Sequence, residues 1–256
     1  MVKKIFSILA WIVTAAALVV LFIAAREDYL NSPVSTVEVD IERVNDSGFV
    51  KQKAVESDIA NLCGTANIGT VNMANIKQRL NSNPWVEGSS SYIGLNGILN
   101  VKIQEYHPVL RIFDRQGRSA YVTENGMLLP PGKGHTPYVL VASGHFDLDT
   151  TIVAHPLCDT TEKDINILNA KYLYEAITRN NFIKNCVGQI YCNSKNEFEI
   201  VVRDLDTRII VGDTTQIDGK LRRLETYMKQ KAGSVESKQM KIINLKYKNQ
   251  VVCTKR

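Results

Sequence analysis

Ile5 to Ala25, IFSILAWIVTAAALVVLFIAA, is an unbroken run of 21 residues without a charge, a glycine or a proline, and only Ser7 and Thr14 are polar. As a helix rising about 1.5 Å per residue it spans roughly 31 Å, which matches a bilayer hydrocarbon core of about 30 Å. A helix in a soluble domain buries one stripe and keeps a polar face, and no polar face exists here. A cleaved signal peptide has an apolar region of only about 7 to 15 residues closed by a small-residue cleavage site. This run is longer and continues straight into Ala24-Ala25-Arg26. The expectation is a membrane anchor that stays attached. Lys3, Lys4 and the amino terminus flank one side, and on the other Arg26 is offset by Glu27 and Asp28. Basic residues near a span favour the cytoplasmic side, so residues 1–4 are expected there and everything after residue 25 outside.

The 231 residues beyond the run are enough for two domains of ordinary size, and no second apolar run reaches membrane length. They carry 29 Lys and Arg against 26 Asp and Glu, but the balance is uneven: residues 220–256 hold 11 basic and 2 acidic residues. A basic end fits an acidic partner or an anionic surface, and equally the solvated faces of one helix and one strand. An exported domain excludes nucleic acid as the natural partner. The five cysteines, Cys63, Cys158, Cys186, Cys192 and Cys253, form no C-x-x-C or zinc spacing. If Cys186 and Cys192 share one strand they lie roughly 20 Å apart, too far to bond.

The pattern of the first exported part is strand, helix, helix, strand, strand. Val37, Val39 and Ile41 alternate with acidic residues as in a half-buried strand. Val55, Ile59 and Leu62 recur at helical spacing before Gly64, and Asn72 is placed to cap a helix carrying Met73, Ile76 and Leu80. Asn83-Pro84 stops that helix, Asn96-Gly97 is a hairpin turn, and Leu99, Val101 and Ile103 alternate with polar neighbours. The second part is mostly strand: Ile112-Phe113, Ala120–Val122, Met127–Leu129, Tyr138–Val141 closed by Gly144, Cys186–Cys192, Phe198–Val202, Arg208–Val211, then Ile242–Tyr247, a Lys248-Asn249 turn or bulge, and Val251–Cys253. One helix begins at a capping box of Thr161 and Asp164 and presents Ile165, Leu168, Tyr172 and Ala176. Another presents Ile217, Leu221, Leu224 and Met228, with Gly233 after it. The fold class is α+β with a mainly antiparallel sheet in the second part.

Few residues point to chemistry. His145, Asp147 and Asp149 have spacing that can ligate a metal and support a membrane-anchored hydrolase, but the same residues suit a polar loop leaving a strand. Gly132-Lys133-Gly134 lacks the phosphate-loop spacing and follows Pro130-Pro131, as a hairpin loop would. His107 and His155 each precede a proline, and nothing pairs a Ser or Cys nucleophile with a base. The expectation is a binding protein with no catalytic residue, no cofactor and no metal. A final strand can leave an open sheet edge that accepts a partner strand, and Lys241, Lys246, Lys248 and Lys255 fit the guarding of such an edge.

Five segments in order resemble the FtsQ/DivIB family of bacterial cell-division proteins. They are Asn83-Pro84-Trp85-Val86; Leu99 to Val109 with Glu105 and Pro108; Asn125 to Pro130; Ile210-Val211-Gly212 with Lys220-Leu221; and Ile243-Asn244-Leu245-Lys246-Tyr247. Asn244 stands where the family commonly has Asp, Lys246 where it has Arg, and Val251-Val252-Cys253 lacks the aromatic that some members carry. The resemblance implies a transmembrane helix at 5–25, a juxtamembrane linker at 26–33, a POTRA-like domain at 34–110 and a β domain at 111–256. It implies a non-enzymatic scaffold of the division septum in the bacterial inner membrane. Its partners would be FtsB- and FtsL-like single-span proteins, with further division proteins on the POTRA-like domain. FtsB would be bound by strand addition at Lys246, Tyr247, Lys248, Asn249, Gln250, Val251 and Val252.

Overall fold

The computed structural model describes residues 2–43, 48–132, 134–158, 162–203, 207–231, 240–248 and 250–255. They fall into two compact units, Met1–Tyr106 and His107–Arg256. Lys133, Thr161, Gly233 and Asn249, each named above, lie outside the described residues.

The first unit opens with α1 (Val2–Asn31), whose stretch Phe6–Asn31 is long and apolar enough to cross a membrane. Phe6, Ile8, Leu9, Trp11 and Ile12 are all more than half exposed, on every side of the helix. Such a bare apolar surface is one that lipid accepts and water penalises, as expected of a candidate membrane span. The helix does not stop at the end of the apolar run; it continues through the charged Arg26-Glu27-Asp28 to Asn31.

After it come β1 (Thr36–Glu42), α2 (Gln52–Cys63), a 3-10 turn at Ile68–Thr70, α3 (Met73–Asn81), β2 (Val86–Ile93) and β3 (Ile98–Glu105). The predicted strand–helix–helix–strand–strand order is the one observed. The strands lie in the order β1-β3-β2, with β1 parallel and β2 antiparallel to the central β3. Register pairs Val37 with Leu99, Val39 with Val101 and Ile41 with Ile103, so the predicted alternations meet on one face. Ile59 from α2 and Ile76 and Leu80 from α3 are buried there, each contributing about 1.5 to 3 kcal/mol of burial. Asn72 caps α3 as its position suggests, its Oδ1 accepting from Asn75 N at 3.1 Å. Leu62 departs from expectation at 47% exposed, because a three-stranded sheet covers only a narrow stripe of α2 and Ile59 fills it.

The second unit is a ten-stranded mixed sheet with three helices among the described residues. In chain order these are β4 (Pro108–Phe113), β5 (Ser119–Thr123), β6 (Met127–Leu129), β7 (Leu140–Gly144), β8 (His155–Pro156), α4 (Glu162–Arg179), α5 (Asn181–Cys186), β9 (Val187–Cys192), β10 (Phe198–Val202), β11 (Arg208–Gly212), α6 (Ile217–Lys231), β12 (Met240–Asn244) and β13 (Val252–Lys255). The sheet runs β13-β12-β11-β10-β9-β7-β4-β5-β6-β8. Six neighbouring pairs are antiparallel, and β4–β7, β7–β9 and β11–β12 are parallel. Leu110, Ile112, Ile190, Ile200 and Val211 from the strands form one core with Leu173 and Ile177 of α4 and Leu221 and Leu224 of α6.

Two sequence expectations are corrected in this unit. The stripe of α4 facing the sheet is Ile167, Ala170, Leu173, Ala176 and Ile177, whereas Ile165 and Tyr172 are 36% and 53% exposed. Both stripes have helical spacing, but the observed one includes two alanines, which let the helix approach the sheet closely. The segment at Cys186 is also not one strand with Cys192: Cys186 ends α5, a helix capped by Asn180 Oδ1, which accepts from Phe182 N and Ile183 N. Cys63, Cys186, Cys192 and Cys253 are free thiols, and burial pushes that of Cys192 up to about 11.

Candidate partner-binding edge

The end of the sheet is built by two local units. β11, α6 and β12 form a strand–helix–strand crossover that places β12 parallel to β11, as such a connection requires. At the start of α6 the Lys220 ammonium, on a nearly buried stem, donates to Asp213 O at 2.8 Å and to Asp213 Oδ1 at 2.7 Å. β12 then turns back into β13, pairing Asn244 with Val252, Ile243 with Cys253 and Ile242 with Thr254. β13 has β12 as its neighbour on one side and stands at the end of the strand order.

One hydrogen bond fixes which main-chain groups of β13 are free of that ladder. Leu245 N donates to Ile210 O at 2.8 Å, so Leu245 and, by alternation, Ile243 turn their main-chain groups toward β11. Ile242 and Asn244 then face β13, and their partners Thr254 and Val252 face back. Cys253 is left with its N–H and C=O directed away from the sheet. On the side-chain alternation, Val251 and Cys253 pack against the core while Val252 is 40% exposed.

The connection between β12 and β13 holds most of the residues expected to bind a partner. The strand predicted over Ile242–Tyr247 ends earlier, at Asn244, because Asn244 Oδ1 accepts from Lys246 N at 3.0 Å and bends the chain. Lys246, Tyr247 and Lys248 therefore lie in the turn, Gln250 and Val251 lead out of it, and only Val252 of the expected set belongs to β13. Tyr247 is 49% exposed at the turn. Lys246 lays its stem over Gly212, whose φ is +78° and where an added Cβ would stand 2.8 Å from Lys246 Cγ. Its ammonium is paired with the Glu197 carboxylate. Cys253, which directs its main-chain groups outward, lies just past the expected set; the alternation of Ile243 and Leu245 in the sequence is the signal that locates it.

The Lys246 ammonium holds the Glu197 carboxyl below its ordinary value of 4.5, and Glu197 in turn raises Lys246 above 10.5. A depressed carboxylate contributes stability above its ordinary pKa and loses it as pH falls through the folded value. The pair is thus intact across neutral pH. Acidification below pH 4.5 is expected to release Lys246 and lower the protection of the Leu245 to Lys248 amides relative to their intrinsic exchange at that pH. In Glu197→Gln that protection should be low already at neutral pH; equal protection in both proteins at pH 7 would show that the pair does not hold the turn.

His145, Asp147 and Asp149 do not assemble a metal centre. Lys163 Nζ lies 2.6 Å from Asp149 Oδ1 and 4.0 Å from Asp147, and Arg118 also approaches Asp147 to 4.0 Å. Lys163 holds the Asp149 carboxyl below its usual range, so these carboxylates are engaged by cations. Among the described residues no three His, Cys, Asp or Glu side chains converge. The hydrolase reading is not favoured.

The family described as FtsQ/DivIB, C-terminal related, matches residues 107–254, more than half of the chain and nearly all of the second unit. The cell division protein FtsQ of Rhodothermus marinus is 25% identical over 184 residues, which cover 69% of this chain. They cover 63% of that relative, so the chain matches a little under two-thirds of its length.

Proposed function

Since the chain belongs to the FtsQ/DivIB family, we propose that it is a non-enzymatic divisome scaffold whose β13 edge takes up a strand from a partner. The partner in this reading is the periplasmic segment of an FtsB-like single-span protein, paired with an FtsL-like one, and the outcome is their recruitment for septal wall synthesis. The observation that carries it is the place of β13, at the end of the sheet with the main-chain groups of Cys253 directed outward. Strand addition draws affinity from such groups and specificity from neighbouring side chains, here Tyr247 and Val252. The first unit serves as a POTRA-like domain by its element order and meets other division proteins. α1 spans the inner membrane once, with Lys3 and Lys4 on the cytoplasmic side, and both units stand in the periplasm.

Cys253→Pro tests the edge directly. Proline removes the outward N–H at that position and leaves the inward bonds of Val252 and Thr254 to β12 in place. Capture of the FtsB–FtsL pair by the detergent-solubilised full chain should fall by about tenfold or more, with the thermal transition unchanged. Undiminished capture by a folded Cys253→Pro protein rules the edge out.

A further inference from the structure

Three segments of the first unit meet where α1 leaves the membrane. Tyr29 Oη donates to Gly94 O at 3.1 Å, Ile68 N to Ser32 O at 2.9 Å and Ser35 N to Gly97 O at 2.9 Å, and Pro33 bridges Asn67. Gly69 sits so close to α1 that an added Cβ would lie 3.2 Å from Leu30 Cβ and from Leu30 O. The domain is thus seated directly on the end of the helix. At the tip of its β2–β3 hairpin, Leu95 is 94% exposed and Tyr92 53% exposed.

The helix sets the height of this tip. Tyr29 lies four residues past Ala25, about 6 Å beyond the end of the apolar run. Helical side chains lean toward the N-terminus, here toward the membrane, so the tyrosine hydroxyl stands no farther out than that. The headgroup region on each side of a bilayer is about 5 to 8 Å deep. Gly94 and its neighbour Leu95 therefore fall within it. The charge pattern agrees. Residues 29–35, 66–72 and 92–98 are 21 residues without a single Asp, Glu, Lys or Arg, in a chain that is 22% charged and would on average place four or five there.

We propose that the 94–97 hairpin tip is a lipid-contact site, with Leu95 inserted into the outer face of the membrane beside Tyr29 and Tyr92. The proposal rests on α1 being a membrane span. Tyrosine favours this interface, with its ring among acyl carbons and its hydroxyl among headgroups, and a bare leucine gains there what it loses in water. The contact makes a second attachment point for the unit, so the domain is held at a fixed height and does not swing from its tether.

Tryptophan fluorescence of the full chain in phospholipid vesicles tests this. The chain has two native tryptophans: Trp11 within the span, and Trp85, buried and stacked on Phe49. In a Trp11→Phe background, Leu95→Trp reports the tip and Trp85 alone gives the baseline. Glu87→Trp, roughly 20 Å away along β2, is the control. With lipids brominated near the carbonyl end of their acyl chains, Leu95→Trp should be blue-shifted and lose at least half its emission above baseline, and Glu87→Trp should lose none. Water-like, unquenched emission at position 95, with Trp11 of the parent strongly quenched, overturns the lipid contact and leaves the span standing. If Trp11 also escapes quenching, the span itself fails and the contact with it.

Discussion

Gly144→Ala is expected to prevent the second unit from folding stably, at a cost of at least about 4 kcal/mol. Gly144 ends β7 with a φ of +116°, where side chains are rarely accommodated, and its main chain runs against β9. A Cβ there would stand 2.1 Å from Cys192 O and 2.9 Å from the Tyr191 ring. The obstacle is a carbonyl of the neighbouring strand, which no rotamer change can move. Relief requires β7 and β9 to separate, breaking the 2.8 Å bond from His145 N to Cys192 O and opening the centre of the sheet. The measurement is the yield of folded protein and its thermal transition. A variant that accumulates normally and melts within a few degrees of the parent would show that this crossing is more yielding than its geometry.

Glu105→Ala should remove about 3 to 5 kcal/mol from the first unit, the usual cost of breaking a buried charge cluster from one side. Glu105 closes β3 with its carboxylate almost fully buried. One oxygen accepts from Phe49 N at 2.5 Å and Val50 N at 3.3 Å, and the other faces Arg43 Nε at 3.5 Å. Arg43 also donates to Val50 O at 2.9 Å, so the carboxylate joins the exit of β1 to the approach of α2. Gly48 completes the seat, since a Cβ there would meet the Glu105 carboxylate at 2.3 Å. Alanine leaves two inward amide donors and a guanidinium without their acceptor. Glu105→Gln keeps one acceptor oxygen and should cost less than half as much. Trp85, stacked on Phe49 beside this cluster, reports the change by fluorescence during urea unfolding in a Trp11→Phe background. Equal stability of the alanine and parent proteins would mean that water replaces the carboxylate without loss.

Local chemistry made much of this fold readable from the residues, and distance between partners hid the rest. Ile5–Ala25 announces its environment by lacking a polar face. Asn72 caps the helix that follows it, and Ile217, Leu221 and Leu224 are buried as their spacing requires. Failures came where two local readings were equally good. α4 carries two apolar stripes, and only the sheet decides between them. α5 is six residues long, too short for a periodic signal, and is marked only by the Asn180 cap. The two-residue strand β8 at His155–Pro156 owes its existence to β6, which precedes it by more than twenty residues. The parallel neighbours β4, β7 and β9 are likewise set by packing across the sheet. At the candidate edge, the basic end of the chain, a terminal strand and a turn at Lys248 were visible, but the early start of that turn was not. Asn244 shortens β12 through its own side chain, and Lys246 is drawn back to Glu197, a residue on the far side of α6 in sequence.

The position of β13 at the margin of the sheet has a consequence in time. Synthesis delivers the strands in order, so β4 to β12 are available before β13. Until β13 arrives, the margin is β12, with the amides of Ile242 and Asn244 turned outward. Because β12 and β13 are close in sequence, closing that hairpin costs little chain entropy and need not wait for distant segments. The margin is thus occupied by its own chain first, and the β13 edge exists only on a molecule whose final hairpin has closed.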